Sequence, residues 1–569
     1  MQIRSYSFLY FFLSIIICSC VNDNASPARE EIETDSLSIK IGERLFAQRC
    51  ASCHNFTSRG IGPNLGGIAD SLPLSWLRQF IADPQKMLDA NEQRAKQLVA
   101  QYKDIMPSFN DLSSDEVDDV IAYINVHKGK TGNRDSAAIT DPIPDSIELS
   151  GIVINIKAEA QIPASAQNNK PPLARITKLD YMPGSDVLFI VDMRGKLYRL
   201  NSGTPETYFD LASLEPKFVH EPGLGAGFGS FAFHPAFHKN GLLYTVHTEK
   251  PGADIADFRY HDSIRVTYQY VLTEWKTTTP EARVFTGTPR ELLRIDMVTV
   301  QHGIQEISFN PFAKLGNTDY GSLYICIGDG GAMDDKYAFL AGDPHMPWGT
   351  IFRIDPLGTN SVNGKYGIPA DNPFKGKDGL GEVYAYGFRN PHRISWGGIS
   401  DVYVANIGEA YIESIYRIKP GMHHGWPIRE GTYAIDPQRD VTKLRPLNSG
   451  DSSVLINYPI AEYDHEWGYA AISGGFVYMG NSIPVLRGKY VFGDIPSGKL
   501  FFFDVHQKGD NHRAPVKEWQ VALDGNILSL KKICNSKRVD LHFGRDASNE
   551  LYILAKADGK LFKLISQYK

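Results

Sequence analysis

Three stretches of this chain share one pattern: LFIVDMRGKLYRL at residues 188–200, YVFGDIPSGKLFFF at 490–503 and LYILAKADGKLFKL at 551–564. Each has a run of apolar and aromatic residues, a turn containing Gly-Lys, and a second such run. Short β-branched and aromatic runs read as strands, and the glycine turn sends the chain back antiparallel. A hairpin that recurs at distant positions marks a repeated architecture. Gly321-Ser322-Leu323-Tyr324-Ile325 and Asp401-Val402-Tyr403-Val404 add strands of the same kind, expected to be innermost. Units of short strands that close on themselves form a β-propeller, with the repeated hairpins as the outer pair of each unit. Six such blades across residues 151–569 would take about 70 residues each, room for four strands and long loops, although the repeat does not itself set the count.

Upstream the pattern changes. Residues 37–128 carry helical signals: Ile41, Leu45 and Phe46, then an amphipathic piece from Leu74 to Ile81. Ser113-Ser114-Asp115-Glu116 reads as a helix start, with Val117, Val120, Ile121 and Ile124 on one face. Residues 129–150 are rich in Gly, Ser, Asp and Pro and read as a linker. The expected fold is therefore mainly β, a six-bladed propeller preceded by a small all-α domain.

Within the helical part lies Cys50-Ala51-Ser52-Cys53-His54, the C-x-x-C-H attachment site of c-type haem. Two thiols one turn apart add to the haem vinyl groups, and the next residue places an imidazole under the iron. Gly62-Pro63-Asn64-Leu65 follows, and Met106-Pro107 precedes the last helix. Met106 is the candidate sixth ligand and Met87 its rival. The region resembles class I cytochromes c. That resemblance implies that the Pro63 carbonyl bonds the proximal His54 and that Met106 completes the iron site.

The N-terminus has one short apolar run, Phe8 to Ile17 after Arg4, ending in Ile17-Cys18-Ser19-Cys20. It is too short for a span of ~20 residues and resembles a lipoprotein signal, with residues 1–19 removed and a lipid on Cys20. A plain secretory signal cut nearby is the alternative. Both export the chain, to the periplasm or to an outer membrane facing either side, with residues 20–36 as a tether. Cys326 and Cys534 are expected to be buried free thiols, although a disulfide is chemically allowed outside the cytoplasm. Lys+Arg number 59 against 65 Asp+Glu, a net charge of −6, which gives no basic surface for nucleic acid.

From about residue 215 onward the chain is similar to the soluble glucose/sorbosone dehydrogenases, propellers that use pyrroloquinoline quinone, a fold shared by hedgehog-interacting proteins. The similarity rests on Tyr384-Ala385-Tyr386-Gly387-Phe388-Arg389-Asn390-Pro391-His392-Arg393, on Asp401 through Glu409, on Gly425-Trp426-Pro427 and on Ile327-Gly328-Asp329-Gly330-Gly331. It implies that His302 is the catalytic base, oriented by Asp329. A neutral imidazole can take a hydroxyl proton at neutral pH. It places Arg389 and Asn390 beside the quinone, and assigns Ca²⁺ to the backbone carbonyls of Gly408 and Glu409. Trp467 is expected to line the substrate cleft, and Lys499, Lys537 and Arg538 to meet the cofactor carboxylates. The paired His423 and His424 have no matching metal partner and read as loop residues. The implied activity is oxidation of an aldose or related alcohol, with electrons passed through the haem to a downstream redox carrier. The alternative is an inactive propeller that binds carbohydrate or protein.

Two outcomes test these expectations. Cys20→Ser should move the exported protein from the membrane to the soluble fraction. Changing both Cys50 and Cys53 to Ala should give a protein whose haem is fully removed by acid–acetone, whereas the unmodified protein keeps it.

Overall fold

A computed structural model describes residues 32, 34–50, 54, 56, 62–102, 106–128, 138–139, 141–167, 171–261, 264–332, 337–409, 411–436, 440–447, 455–465, 468–507 and 513–568. The proposed signal and Cys20 lie outside these residues.

The helical domain is built on two long helices, Ser36–Arg49 and Ser114–Val126. Asp35 caps the first, accepting from the Leu37 and Ser38 N–H groups at 2.9 and 3.0 Å. Ser113 and Glu116 form a full capping box on the second. Leu45 and Phe46 pack on Val117, Val120, Ile121 and Ile124, the apolar face read from the sequence. Gly42 permits the close crossing: a Cβ there would lie 1.8 Å from the Asp119 carbonyl oxygen. Leu74–Ala82 forms as expected. Pro84–Asp89 and Gln93–Tyr102 are additional helices, too short or too polar to stand out in the sequence. Among the described residues no helix is long and apolar enough to cross a membrane.

The remainder is a ring of antiparallel sheets. Among the described residues there are four four-stranded sheets and a nine-stranded sheet, which comprises two further four-stranded arrays joined through the N-terminal strand, and one short added strand. The innermost strands are Ile176–Tyr181, Phe228–Phe233, Ile304–Phe309, Asn390–Gly398, Ile472–Val477 and Leu541–Arg545. Each touches the next in this order, and the sixth touches the first, so the arrangement is a closed propeller-like ring. The N-terminal strand Glu148–Gln161 closes it. It pairs antiparallel with Lys560–Gln567 of the sixth array and parallel with Lys517–Leu523 of the fifth. A three-stranded insert, Arg429–Glu430, Tyr433–Asp436 and Asp440–Arg445, interrupts the fourth array.

Three sequence expectations change. The repeated hairpins are the second and third strands of their arrays, not the outer pair. Leu323–Ile327 and Asp401–Ile407 are second strands, not innermost. Both positions are buried on two faces, so composition alone does not rank them. Within residues 129–150, read as linker, two residues lie against the ring: Ile139 bridges to Leu444, and the Ile143 N–H bonds Asp464 at 3.1 Å.

Charged side chains tie the axis. Lys178 of the first array donates to Glu306 of the third at 2.6 Å, and Arg393 of the fourth donates to the other Glu306 oxygen. All three are buried. Burial opposes the Glu306 charge, but Lys178 and Arg393 hold its carboxyl below the ordinary value. Removing one partner of such a group leaves uncompensated charge. Glu306→Ala should therefore cost about 3–5 kcal/mol, read from urea unfolding of the purified protein. An unchanged midpoint would show that the tie does not hold the ring.

Candidate active site

In an up-and-down array the start of the innermost strand and the end of the second strand lie on the same face. His302 precedes the innermost strand Ile304–Phe309, and Asp329 follows the second strand Leu323–Ile327. Arg389 and Gly408-Glu409 hold the equivalent places in the next array. The topology thus brings the sequence-predicted residues of the third and fourth arrays to one mouth.

His302 Nδ1 lies 2.7 Å from Asp329 Oδ1. Asp329 is fully buried and also accepts the Gly331 N–H at 2.9 Å and Trp426 Nε1–H at 3.0 Å. Its own N–H donates to the Arg389 carbonyl at 2.8 Å, which joins the two arrays. Burial opposes its charge, but His302 and Arg389 hold the carboxyl below the usual carboxylate value. An ionised Asp329 puts the imidazole proton on Nδ1 and leaves Nε2 as the acceptor. Burial, and then the charge of Arg389, push the His302 pKa below 6.5. The imidazole is neutral at pH 7 and can take a proton. His302 sits at φ +48°, in the left-handed region that non-glycine residues seldom adopt. Gly328 leaves room for it: a Cβ there would lie 2.1 Å from the His302 carbonyl oxygen.

Arg389 donates Nε–H to Glu409 Oε2 at 2.6 Å and lies over the Trp426 ring at 5.9 Å. Asn406 Oδ1 accepts both the Arg389 and Asn390 N–H groups, at 3.1 and 3.0 Å. One Glu409 carboxylate oxygen is thus engaged by Arg389. Behind the turn, Glu430 Oε1 accepts the N–H groups of Glu409, Tyr411 and Ile412, each at 2.9 Å. Glu413 accepts the Gly408 N–H at 3.2 Å and His465 Nε2–H at 2.9 Å. A trans peptide opposes its N–H and C=O. Pinning the Glu409 N–H to Glu430 therefore turns the Gly408 carbonyl the other way, which fits a hard cation that takes neutral backbone oxygens.

The basic candidates stand apart from this group. Lys499 is half-exposed and pairs with Glu518 on the neighbouring strand at 2.5 Å. Lys537 Nζ donates to Gln85 Oε1 of the helical domain, and Arg538 pairs with Asp540 at 3.1 Å. Trp467 lies outside the described residues. His423 and His424 are buried, and His424 stacks on Phe388 with ring centroids 4.4 Å apart. They support the Arg389 loop, as read. Trp426, Asn406, Glu413, Glu430 and His465 were not assigned roles from sequence. Trp426 and Asn406 had a signal, their places in Gly425-Trp426-Pro427 and in the run from Asp401 through Glu409.

In the helical domain His54 Nδ1 lies 2.9 Å from the Pro63 carbonyl oxygen, which leaves Nε2 for iron. Met106 packs against the domain core with Cys50, while Met87 is buried in the helix Pro84–Asp89. Cys53 lies outside the described residues. This donor set fits a c-type haem. Cys326 and Cys534 are buried free thiols, as expected.

The chain thus joins a cytochrome-like domain to a ring of four-stranded sheets with a histidine–carboxylate pair at its mouth. The Glucose / Sorbosone dehydrogenase family profile matches residues 175–522, more than half of the chain, and the chain belongs to that family. The Cytochrome c profile matches residues 39–128. The chain is 26% identical over 400 residues to the Hedgehog-interacting protein of Mus musculus, covering 67% of this chain and 49% of the relative. It is 25% identical over 344 residues to Quinoprotein glucose dehydrogenase B of Acinetobacter calcoaceticus, covering 56% of this chain and 64% of the relative. The chain spans about half the length of the Hedgehog-interacting relative and under two thirds of the other. A solved structure described as glucose dehydrogenase shares the fold at TM-score 0.50 and 16% identity, covering 73% of this chain and all of that one.

The lowered His302 pKa has a signed consequence. Any base-dependent turnover should be lost, as pH falls, through a His302 pKa that lies below 6.5. Asp329→Asn removes the charge that opposes this lowering and turns one of the two oxygens that accept from His302, Gly331 and Trp426 into a donor. The variant should lose turnover by roughly 10²–10⁴ at every pH. A pH–rate profile of both proteins checks this.

Proposed function

We propose that the chain is an exported, lipid-anchored quinohaemoprotein that oxidises an aldose or related alcohol. The observation that carries this reading is the neutral His302 dyad beside Arg389 on a glucose/sorbosone dehydrogenase ring fused to a cytochrome c domain. When bound, pyrroloquinoline quinone supplies a hydride acceptor and covalent haem a one-electron relay.

The chain's own residues do the rest. His302 Nε2 takes the substrate hydroxyl proton while Asp329 keeps Nδ1 protonated and the ring oriented. Arg389, with Asn390 beside it, presents positive charge where negative charge develops. The Gly408 and Glu409 carbonyls would hold Ca²⁺, and Lys499, Lys537 and Arg538, on exchanging their present partners, would meet the cofactor carboxylates.

A second reading has its own support. Glu409 neutralises Arg389, and the Hedgehog-interacting similarity extends over most of the chain. An inactive propeller that binds carbohydrate or protein would share both features. The two readings separate in one experiment. Purified protein with oxidised haem is given Ca²⁺ and pyrroloquinoline quinone, and the haem absorbance is followed while sugars are added. Sugar-dependent haem reduction, lost in His302→Ala and slowed in Arg389→Ala, supports the dehydrogenase. If the protein binds no quinone at all, the binding-module reading replaces it.

A further inference from the structure

Beneath the mouth the axis of the ring is lined by nitrogen donors. His392 on the fourth innermost strand and His542 on the sixth have ring centroids 5.3 Å apart, stacked at 24°. Their arrays are not neighbours, so both rings must project into the axis. The strand register shifts between Pro391 and Arg393. Such a bulge lets consecutive side chains share a side. Arg393 also crosses the axis, reaching Glu306 of the third array and the Thr177 carbonyl of the first.

These groups are 1–5% exposed, yet several of their polar atoms bond to nothing among the described residues: Arg393 Nε, His392 Nδ1 and both nitrogens of His542. Buried polar atoms of this kind normally have a partner. Lys556, at the end of the second strand of the sixth array, adds its charge. Burial, then the charge of Arg393 and of Lys556, drives the His392 pKa well down; for His542 burial comes first, then Lys556, His392 and Arg393. Both imidazoles are neutral and each carries an N–H donor. The site is therefore electropositive and donor-rich. A metal cation is disfavoured there by Arg393 and Lys556, and an arginine Nε–H only donates.

We propose that this axial well, formed by Arg393, His392, His542 and Lys556, binds a carboxylate or similar small oxyanion. The planar group takes the Arg393 Nε–H and an imidazole N–H, with the Lys556 ammonium above it. The carboxylate could belong to a cofactor at the mouth or to a free small acid. The assignment stands without dehydrogenase activity.

The pH response follows from Lys556. Burial lowers its pKa to about 8, opposed by Asp540 and helped by Arg175, Arg393 and Arg538; neutral His392 and His542 add no charge. Anion affinity should fall about tenfold per pH unit above the pKa of the free protein, as the ammonium is lost.

The test uses the haem-loaded full chain, with oxalate and pyrroloquinoline quinone as separate probes, read by calorimetry and thermal shift against chloride at matched ionic strength. Saturable oxalate binding at pH 7 is expected, with a Kd at least tenfold weaker in Lys556→Gln. Lys556→Arg should keep the affinity and lose the decline above pH 8. Because Lys556 lies at the rim, these variants should fold, which unchanged haem content and thermal midpoint without ligand would establish. If oxalate and the quinone compete, the well takes the cofactor's carboxylate; if both bind together, it takes a free acid. Oxalate binding without any quinone binding would uphold the well and defeat the dehydrogenase reading. Absence of oxalate binding to the unmodified protein, or equal Kd in Lys556→Gln, would overturn the proposal.

Discussion

The mouth of this molecule exists because one strand closes the ring. Glu148–Gln161 is distant in sequence from the strands it joins, yet it seals the fifth and sixth arrays together. An open ring would present unpaired strand edges to solvent and leave the six innermost strands free to splay. Closure fixes their spacing. Only at that spacing does Glu306 meet Lys178 and Arg393 across the axis, so the buried charges are compensated as a consequence of closure. The cost of a mismatch is high, because each lost partner leaves an ion in a dry interior.

The candidate site uses what the sheets leave over. At strand ends the ladder stops, and backbone N–H groups and carbonyls need other partners. Buried carboxylates take this role around the mouth: Asp329 for Gly331, Glu430 for Glu409, Tyr411 and Ile412, Glu413 for Gly408 and Ile472. These contacts hold Asp329 beside His302, whose backbone is left-handed, and turn the Gly408 carbonyl outward from Glu430. The dyad on one side and the basic rim on the other then follow from chain position. The third and fourth arrays carry His302, Asp329, Arg389 and Glu409. The sixth array and the start of the first carry Arg538, Lys556 and Arg175.

Legibility varied with the range of the interaction. Cys50-Ala51-Ser52-Cys53-His54 and the Ser113 cap were readable because their chemistry spans a few residues. The strand–turn–strand repeats were readable for the same reason, but their rank within an array was not. Rank depends on which neighbours a strand finds, and Leu323–Ile327 and Ile304–Phe309 are both largely buried. His302 and Asp329 were paired through a family resemblance, since their separation along the chain carries no periodic signal. Glu413, Glu430 and His465 had no signal, being ordinary residues whose role comes from meeting a turn made elsewhere.

The sequence by itself determined the two-part organisation, the haem attachment motif, the β-rich repeat and the buried state of Cys326 and Cys534. Each follows from local spacing or composition, which act before the chain is folded. The tertiary structure alone decided that Glu409 pairs with Arg389, that Trp426 bonds Asp329, and that His392 and His542 stack across the axis. Those pairs are made by the ring's closure, which sets distances between residues that no pattern along the chain connects.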